Sequence, residues 1–228
     1  DLHSFPTRRS SDLAIHNINK VTMKKILITL LLALPMMAAA QDNTWERIET
    51  EPVSKANPDA KYLVENAVPV VDGKVTWKTT INAPGKSAQQ IYDILLAQLN
   101  KMVNEENQLE ERSKVAIQDQ ANHQLGATFH EWLVFKNTAL SLDRTVLNFQ
   151  LIADCSDGKA DVQMTRVSYD YELERDPTHY TAEEWITDKY AVNKKHTKLT
   201  KLSAKFRRKT IDRKDFIFNK FTALLNAK

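Results

Sequence analysis

The chain of 228 residues carries 32 Lys and Arg against 29 Asp and Glu, and 42% of its residues are hydrophobic. The single Cys excludes a framework of disulfides within the chain, and the four Gly exclude collagen-like and glycine-linker architectures. The apolar fraction is too high for a disordered chain, and the length suits one domain with an appendage.

An apolar segment near the amino terminus predicts export. Met23 is followed by two lysines, an apolar run over 26–34, and small residues that end at Ala40. These are the three parts of a secretory signal peptide, and the run is shorter than the roughly 20 residues that span a bilayer. We therefore expect a signal peptide over 23–40 that is cleaved after Ala40, and a protein exported to the periplasm or the cell surface. A buried core helix is the alternative.

The rest of the chain is expected to divide into three segments. Residues 1–22 precede the signal peptide and contain no Met, and 1–13 resemble the translation of a sequencing adaptor. Because a signal peptide stands at the start of its chain, we expect 1–22 to be an artefact. Residues 41–66 are polar and proline-containing and are expected to form an extended lead-in. Residues 67–228 are expected to form a single domain without a transmembrane segment.

The charge is distributed unevenly along the chain. Residues 41–228 hold 27 basic and 27 acidic residues, whereas 189–228 alone hold 13 basic and 2 acidic ones. The neutral total and the predicted export both argue against a nucleic-acid partner. The basic segment either neutralises the acidic remainder or offers a binding surface to an anionic lipid or polysaccharide. The candidate binding residues are Lys198, Lys201, Lys205, Arg207, Arg208, Lys209, Arg213 and Lys214.

A hairpin and a long helix are predicted at the start of the domain. Strands over 68–71 and 74–81 flank Asp72-Gly73, a strong signal for a two-residue turn because both positions tolerate positive φ. Ser87 is predicted to cap a helix that runs to about Glu106, since its apolar residues recur at spacings of three and four.

Four strands and a helical tail are predicted next. Alternating apolar and polar residues predict strands over Lys114–Asp119, Ala127–Lys136, Arg144–Asp154 and Asp161–Glu172. A change of phase predicts a bulge near Thr165 and Arg166. The run from Thr181 to Glu184 is typical of a capping box, and Asp212 is predicted to cap a final helix. The order predicts an α+β fold in which an antiparallel sheet of about five strands carries its helices on one face.

The sequence resembles a family of secreted bacterial proteins of unknown function that has a TATA-binding-protein-like (TBP-like) fold. The stretches that carry the resemblance are Val70–Val75, Ala83–Ala88, Glu131–Phe135, Ala182–Tyr190 and Lys205–Arg213. The resemblance covers most of 68–220 and implies the order β-α-β4-α, in agreement with the predicted elements. It implies no activity, because function belongs to sites rather than to folds.

The sequence contains no recognisable catalytic or metal-binding motif. A glycine-rich phosphate loop, a His-Glu-x-x-His pattern and a Cys pair are all missing. His130 and Glu131 point to opposite faces of one strand, so they cannot share a metal ion. Cys155 is expected to behave as a small buried hydrophobic residue, and a reactive thiol or an intermolecular disulfide is the alternative. We expect no metal and no cofactor.

These observations predict an exported, non-catalytic domain of the cell envelope that binds a ligand or a partner. A small apolar ligand between the sheet and the long helix, or an envelope protein at the sheet edge, would suit the predicted architecture. A hydrolase with an unrecognised site is the alternative from another class. Binding to an anionic surface through the basic tail is the third hypothesis.

Overall fold

The structure is a computed structural model that describes residues 57–109 and 111–227. The expected artefact over 1–22, the expected signal peptide over 23–40 and the lead-in up to residue 56 lie outside the described residues. Within them, an antiparallel sheet of seven strands packs against helices, which confirms the predicted α+β class.

The first half of the described chain contains a single 3₁₀ turn, four strands and one helix. These elements are the turn Ala60–Tyr62, β1 Val70–Val71, β2 Lys74–Asn82, α1 Ala88–Met102, β3 Lys114–Asp119 and β4 Gln124–Thr138. The second half contains β5 Ser141–Ser156, β6 Lys159–Tyr171, β7 Thr178–Thr181, α2 Ala182–Trp185, α3 Asp188–Ala191 and α4 Ala204–Asn226.

The predicted hairpin turn and the predicted helix cap at the start of the domain are both confirmed. Asp72 and Gly73 have φ values of 50° and 75° and join β1 to β2. Ser87 Oγ accepts a hydrogen bond from the Gln90 backbone N at 3.3 Å, and Gln90 Oε1 accepts one from the Ser87 backbone N at 2.8 Å. This reciprocal capping box satisfies two amide groups that the first helical turn leaves unpaired.

Helix α1 ends at Met102, several residues before the predicted end near Glu106. The chain beyond it hydrogen-bonds to β4: the Leu109 backbone N donates to His130 O at 2.7 Å, and the Trp132 backbone N donates to Asn107 O at 2.8 Å. Residues 103–105 make turn bonds back to the end of the helix, and the chain then pairs with β4 instead of continuing as a helix.

The strand order is β1-β2-β6-β5-β4-β3, and β7 pairs with β6 beyond the point where β2 leaves it. The register between β5 and β6 shifts after Asn148, opposite Arg166, whose φ is 53°. This bulge confirms the predicted change of phase. The sheet has seven strands rather than about five. The predicted order counted the hairpin of β1 and β2 as one strand, and the short, polar β7 was not predicted.

The carboxyl-terminal helix begins well before the predicted cap. Asp212 lies inside α4, where it accepts a hydrogen bond from Tyr62 Oη at 2.9 Å. The capping box predicted at Thr181 is also corrected, since the Thr181 hydroxyl donates to the Glu184 carboxylate and caps no backbone group. The helix begins at Ala204, and Phe206 and Ile211 in its first turns are buried in the core.

Helices α1 and α4 cover one face of the sheet and enclose the core. The core includes Ile91, Leu95, Leu99, Leu125, Phe129, Phe149, Met164, Phe206, Ile217 and Phe221. The alternate residues of β4, β5 and β6 point away from these helices and are partly exposed, and we call this side of the sheet the open face. No helix within 57–109 and 111–227 is long and apolar enough to cross a membrane.

Candidate functional site

The eight basic residues predicted to bind an anion do not form one surface. Arg207 and Arg213 are fully buried, whereas Lys198 and Lys201 are exposed. Four others are partly buried: Lys205, Arg208, Lys209 and Lys214. The loop before α4 and the different sides of α4 itself carry these residues, so the candidate binding residues are divided between the core and the surface.

Arg213 belongs to a buried ionic cluster between α4 and β4. Its Nε and Nη2 atoms donate to the two carboxylate oxygens of Glu131, each at 2.7 Å, and both side chains have 0% exposure. Gln108 Nε2 also donates to Glu131 at 2.8 Å. Burial opposes the charged guanidinium, but the carboxylates of Glu131 and Glu105 outweigh it and raise the pKa of Arg213. Because the Arg213 guanidinium is buried and paired with Glu131, it belongs to the structure of the core rather than to a ligand site.

Arg207 joins three separate segments of the chain. Its guanidinium donates to the backbone O of Tyr62 at 2.8 Å, to the backbone O of Ile186 at 2.7 Å, and to Asp188 at 2.6 Å. The spacing of Arg207, Thr210, Arg213 and Ile217 by three and four residues places them all on the inward face of α4. That spacing is a signal from which the burial of both arginines could have been expected.

Two further basic residues are held by ion pairs at the edge of the core. Arg208 donates to both carboxylate oxygens of Asp59, at 2.6 and 2.8 Å. Lys205 donates to Asp143 at 2.7 Å and to Tyr171 Oη at 2.9 Å. The basic segment thus neutralises acidic groups elsewhere in the domain, as one of the two alternatives predicted.

A row of hydrogen-bonded polar side chains crosses four strands on the open face. His130 Nδ1 on β4 lies 2.6 Å from Asn148 Oδ1 on β5, and Asn148 Nδ2 donates to Asp170 on β6 at 2.8 Å. The other carboxylate oxygen of Asp170 lies 2.7 Å from His179 Nδ1 on β7. We call these four residues the open-face row.

The pairing of the strands brings the open-face row together. His130 stands directly opposite Asn148, and Asp170 stands directly opposite His179. The neighbouring Glu131 points the other way into the core, which confirms that His130 and Glu131 lie on opposite faces. Sequence reasoning missed the row because its members are 9 to 49 positions apart and only the strand register aligns them.

The hydrogen bonds of the row control the ionisation of Asp170. Burial alone would raise the pKa of this carboxyl, but the hydrogen bonds from His179 and Asn148 outweigh burial and lower it. Asp170 is therefore an ionised hydrogen-bond acceptor at neutral pH rather than a proton donor.

The pKa of Cys155 is shifted in the opposite direction to that of Asp170. Its side chain is buried and free, and burial raises the pKa of the thiol to about 12. Since the thiolate is the reactive form, this environment suits the expected small hydrophobic residue and not a nucleophile.

The lowered pKa of Asp170 predicts a pH-dependent stability. A carboxyl group whose pKa is lower in the folded than in the unfolded state stabilises the folded state at pH values above its unfolded pKa of about 3.9. This stabilisation is lost as the pH falls through the pKa of the folded state. We expect Asp170→Asn to lower the free energy of unfolding more at neutral pH than at about pH 3. Urea unfolding at both pH values measures this. Asp154→Asn, on the same face, controls for the loss of one negative charge, and an equal effect of Asp170→Asn at both pH values would contradict the prediction.

Three clefts of the described residues lie at the surface rather than between α1 and the sheet. One of about 340 Å³ lies on the open face near the β5–β6 turn, where Lys78, Thr80, Asp154, Asp161 and Gln163 line it. A second of about 380 Å³ lies beside α2 and the loop before α4. A third of about 490 Å³ lies between the β1–β2 hairpin and α3. Within 57–109 and 111–227, no three His, Cys, Asp or Glu side chains are placed to hold a metal ion.

Comparison with known proteins places this architecture in a family. Residues 77–170 match a family described as a domain of unknown function (DUF4468) with TBP-like fold. The crystal structure of a DUF4468 family protein from Bacteroides ovatus ATCC 8483 is 39% identical, with a TM-score of 0.69 over 76% of this chain and 98% of that chain. The chain belongs to the DUF4468 family.

A second structure supports the fold of this DUF4468 protein. The TBP-like protein from Parabacteroides distasonis ATCC 8503 is 18% identical, with a TM-score of 0.59 over 71% of this chain and 99% of that chain. The fold is thus TBP-like, as the sequence resemblance implied. The search of curated proteins finds no match.

Proposed function

We propose that this DUF4468 protein is an exported, non-catalytic binding domain of the cell envelope, and that the open face of its sheet binds a hydrophilic ligand. The observation that carries the proposal is the open-face row. It presents imidazole, amide and carboxylate groups side by side on the rigid strands of an antiparallel sheet. A site built on strands holds its groups in more constant positions than a site built on loops.

The unused atoms of the row favour a ligand with both hydrogen-bond donors and acceptors. Each histidine uses Nδ1 within the row, and in the described part of the chain neither Nε2 atom makes a hydrogen bond. The His179 side chain is 57% exposed and Asp170 is 26% exposed, so solvent and ligand reach them. A neutral imidazole donates or accepts through Nε2 according to its tautomer.

The electrostatics of the row favour binding over catalysis. A general acid or base works best with a pKa near the working pH. The pKa of Asp170 is instead lowered, which suits a fixed acceptor for ligand hydroxyl or amide groups. The polar cleft lined by Lys78 and Asp161 lies on the same face and would extend the contact area for a larger ligand.

Native mass spectrometry tests the proposal on the protein as the cell makes it. The chain would be expressed from Met23 and recovered from the envelope fraction. We expect an intact mass that corresponds to residues 41–228, and in native conditions an added mass that dissociates on denaturation. The added mass should be hydrophilic. Its absence from the wild-type protein would contradict ligand binding, and retention of residues 23–40 would contradict export by cleavage.

Matched variants locate the binding surface. Asp170→Asn combined with Asn148→Ala removes the centre of the row and should reduce ligand occupancy about 10-fold or more, because hydrogen bonds to charged groups contribute about 1.5–3 kcal/mol each. Asp93→Asn removes an exposed carboxylate from α1, away from the open face, and should retain the ligand. Equal occupancy in both variants would exclude the open-face row as the site.

A further inference from the structure

A second surface with a different chemistry lies between α3 and α4. We call residues 193–203 the lysine loop; Lys194, Lys195, Lys198 and Lys201 are exposed on it, and Lys189 is exposed on α3 beside it. Within 57–109 and 111–227, none of these five lysines forms an ion pair. They differ in this respect from Lys205 and Arg208, whose charges are matched by carboxylates.

The lysine loop has a defined conformation. Asn193 Oδ1 accepts hydrogen bonds from the backbone N of Thr197 at 2.8 Å and of Lys198 at 3.1 Å. Val192 and Leu199 form an isolated β-bridge at its base. These contacts fix the backbone of the segment that carries Lys194, Lys195 and Lys198.

Apolar side chains are exposed next to these charges. Leu202 is 77% exposed and Tyr190 is 43% exposed, and both line the cleft of about 380 Å³ together with Trp185. The Lys189 ammonium lies 4.9 Å from the centre of the Tyr190 ring. Glu184 is an acidic group of the same cleft, and its carboxylate already accepts a hydrogen bond from Thr181. This surface therefore combines exposed lysines with exposed apolar side chains and one acidic group.

We propose that this surface binds the face of an anionic lipid bilayer. The lysines would contact lipid phosphates, and Leu202 and Tyr190 would enter the boundary between head groups and acyl chains. Lysines close to an anionic membrane are attracted to it, and tyrosine is favoured at that boundary because its ring is apolar and its hydroxyl is polar. This site is separate from the open-face row and does not depend on the function proposed for it.

The exposed leucine favours a bilayer over an anionic polysaccharide. Both partners would attract the lysines, but a polysaccharide offers no apolar phase in which Leu202 would lose contact with water. A bilayer offers one within a few ångströms of its phosphates.

Vesicle sedimentation tests the proposal. Residues 41–228 serve as the protein, because the apolar run over 26–34 would bind vesicles by itself. The Bacteroides ovatus protein, 98% of whose chain matches 76% of this one, is itself a folded protein in its crystal structure, which makes residues 41–228 a suitable probe. The probes are phosphatidylcholine vesicles with and without phosphatidylglycerol. We expect binding only with phosphatidylglycerol, and its loss between about 0.1 M and about 1 M NaCl, since the Debye length falls from about 10 Å to about 3 Å.

Paired variants separate this surface from general electrostatic attraction. Lys198→Glu with Lys201→Glu should weaken vesicle binding about 10-fold or more, and Leu202→Ser should weaken it without changing its salt dependence. Lys114→Glu with Lys136→Glu makes the same charge change at exposed positions on β3 and β4 and should leave binding nearly unchanged.

Several results would overturn the proposal. Absence of vesicle binding, equal binding to pure phosphatidylcholine, or equal losses in the two lysine pairs would each exclude an anionic bilayer as the partner of this surface. Binding to an anionic polysaccharide such as alginate without binding to vesicles would assign the surface to a polysaccharide instead. None of these results bears on ligand occupancy at the open-face row.

Discussion

Arg213→Leu is expected to lower the free energy of unfolding by about 3–5 kcal/mol, because it leaves the carboxylate of Glu131 buried without its partner. Both side chains have 0% exposure, and two hydrogen bonds of 2.7 Å join them. Gln108 would remain as a neutral donor to Glu131, which does not replace a charge. Urea unfolding monitored by tryptophan fluorescence measures the change.

Two further variants show whether the buried charge is the cause. The double variant Glu131→Leu with Arg213→Leu should recover most of the loss, since removing both partners of a buried pair is often nearly neutral. Arg208 lies on the same helix as Arg213 and forms a partly exposed ion pair with Asp59. Arg208→Leu breaks this pair and should lower the free energy of unfolding by about 1 kcal/mol or less. Similar losses for Arg213→Leu and Arg208→Leu would contradict the role assigned to burial.

Phe206→Ala is the second substitution expected to have a large effect, at about 3–5 kcal/mol of unfolding free energy. Phe206 is 1% exposed, and its ring centre lies 4.7 Å from that of Phe135, 5.1 Å from Tyr169 and 5.8 Å from Trp185. Loss of the ring opens a cavity between α4, the sheet and α2. Chemical denaturation at neutral pH gives the value.

A matched substitution on the same helix controls for the loss of helix packing in general. Phe218→Ala removes the same ring from a partly exposed position and should cost clearly less than Phe206→Ala. Because Trp185 lines the cleft beside the lysine loop, Phe206→Ala should also weaken vesicle binding, whereas Phe218→Ala should not. Equal destabilisation by the two variants would contradict the prediction that the burial of Phe206 makes its ring more important for stability than that of Phe218.

The elements that sequence reasoning placed correctly are those whose cause is local. The turn at Asp72 and Gly73 depends on the positive φ of two adjacent residues, and the start of α1 depends on Ser87 and Gln90 within one helical turn. The bulge at Arg166 was visible because it shifts the alternation of apolar residues within one strand.

The elements that were missed depend on contacts between distant residues. Strand β7 has only four residues, and it forms because β6 continues beyond β2 and leaves an edge to pair with. Helix α1 ends at Met102, and after a turn the chain hydrogen-bonds to β4 through Asn107 and Leu109. The start of α4 at Ala204 was not predicted, because the many lysines and arginines of its first turns are typical of a solvated segment.

The α+β class and the order of the main elements could be predicted from the sequence, because hydrophobic periodicity and turn residues act over a few positions. The family resemblance rests instead on particular stretches of sequence, such as Glu131–Phe135 and Lys205–Arg213. Which basic residues are exposed could not be predicted in the same way, because it depends on the packing of distant segments. Burial and pairing depend on where a helix meets the sheet, so Arg207 and Arg213 entered the core while Lys198 and Lys201 stayed exposed. Strand register likewise brought His130, Asn148, Asp170 and His179 into one row, since cross-strand neighbours are set by pairing over long sequence distances.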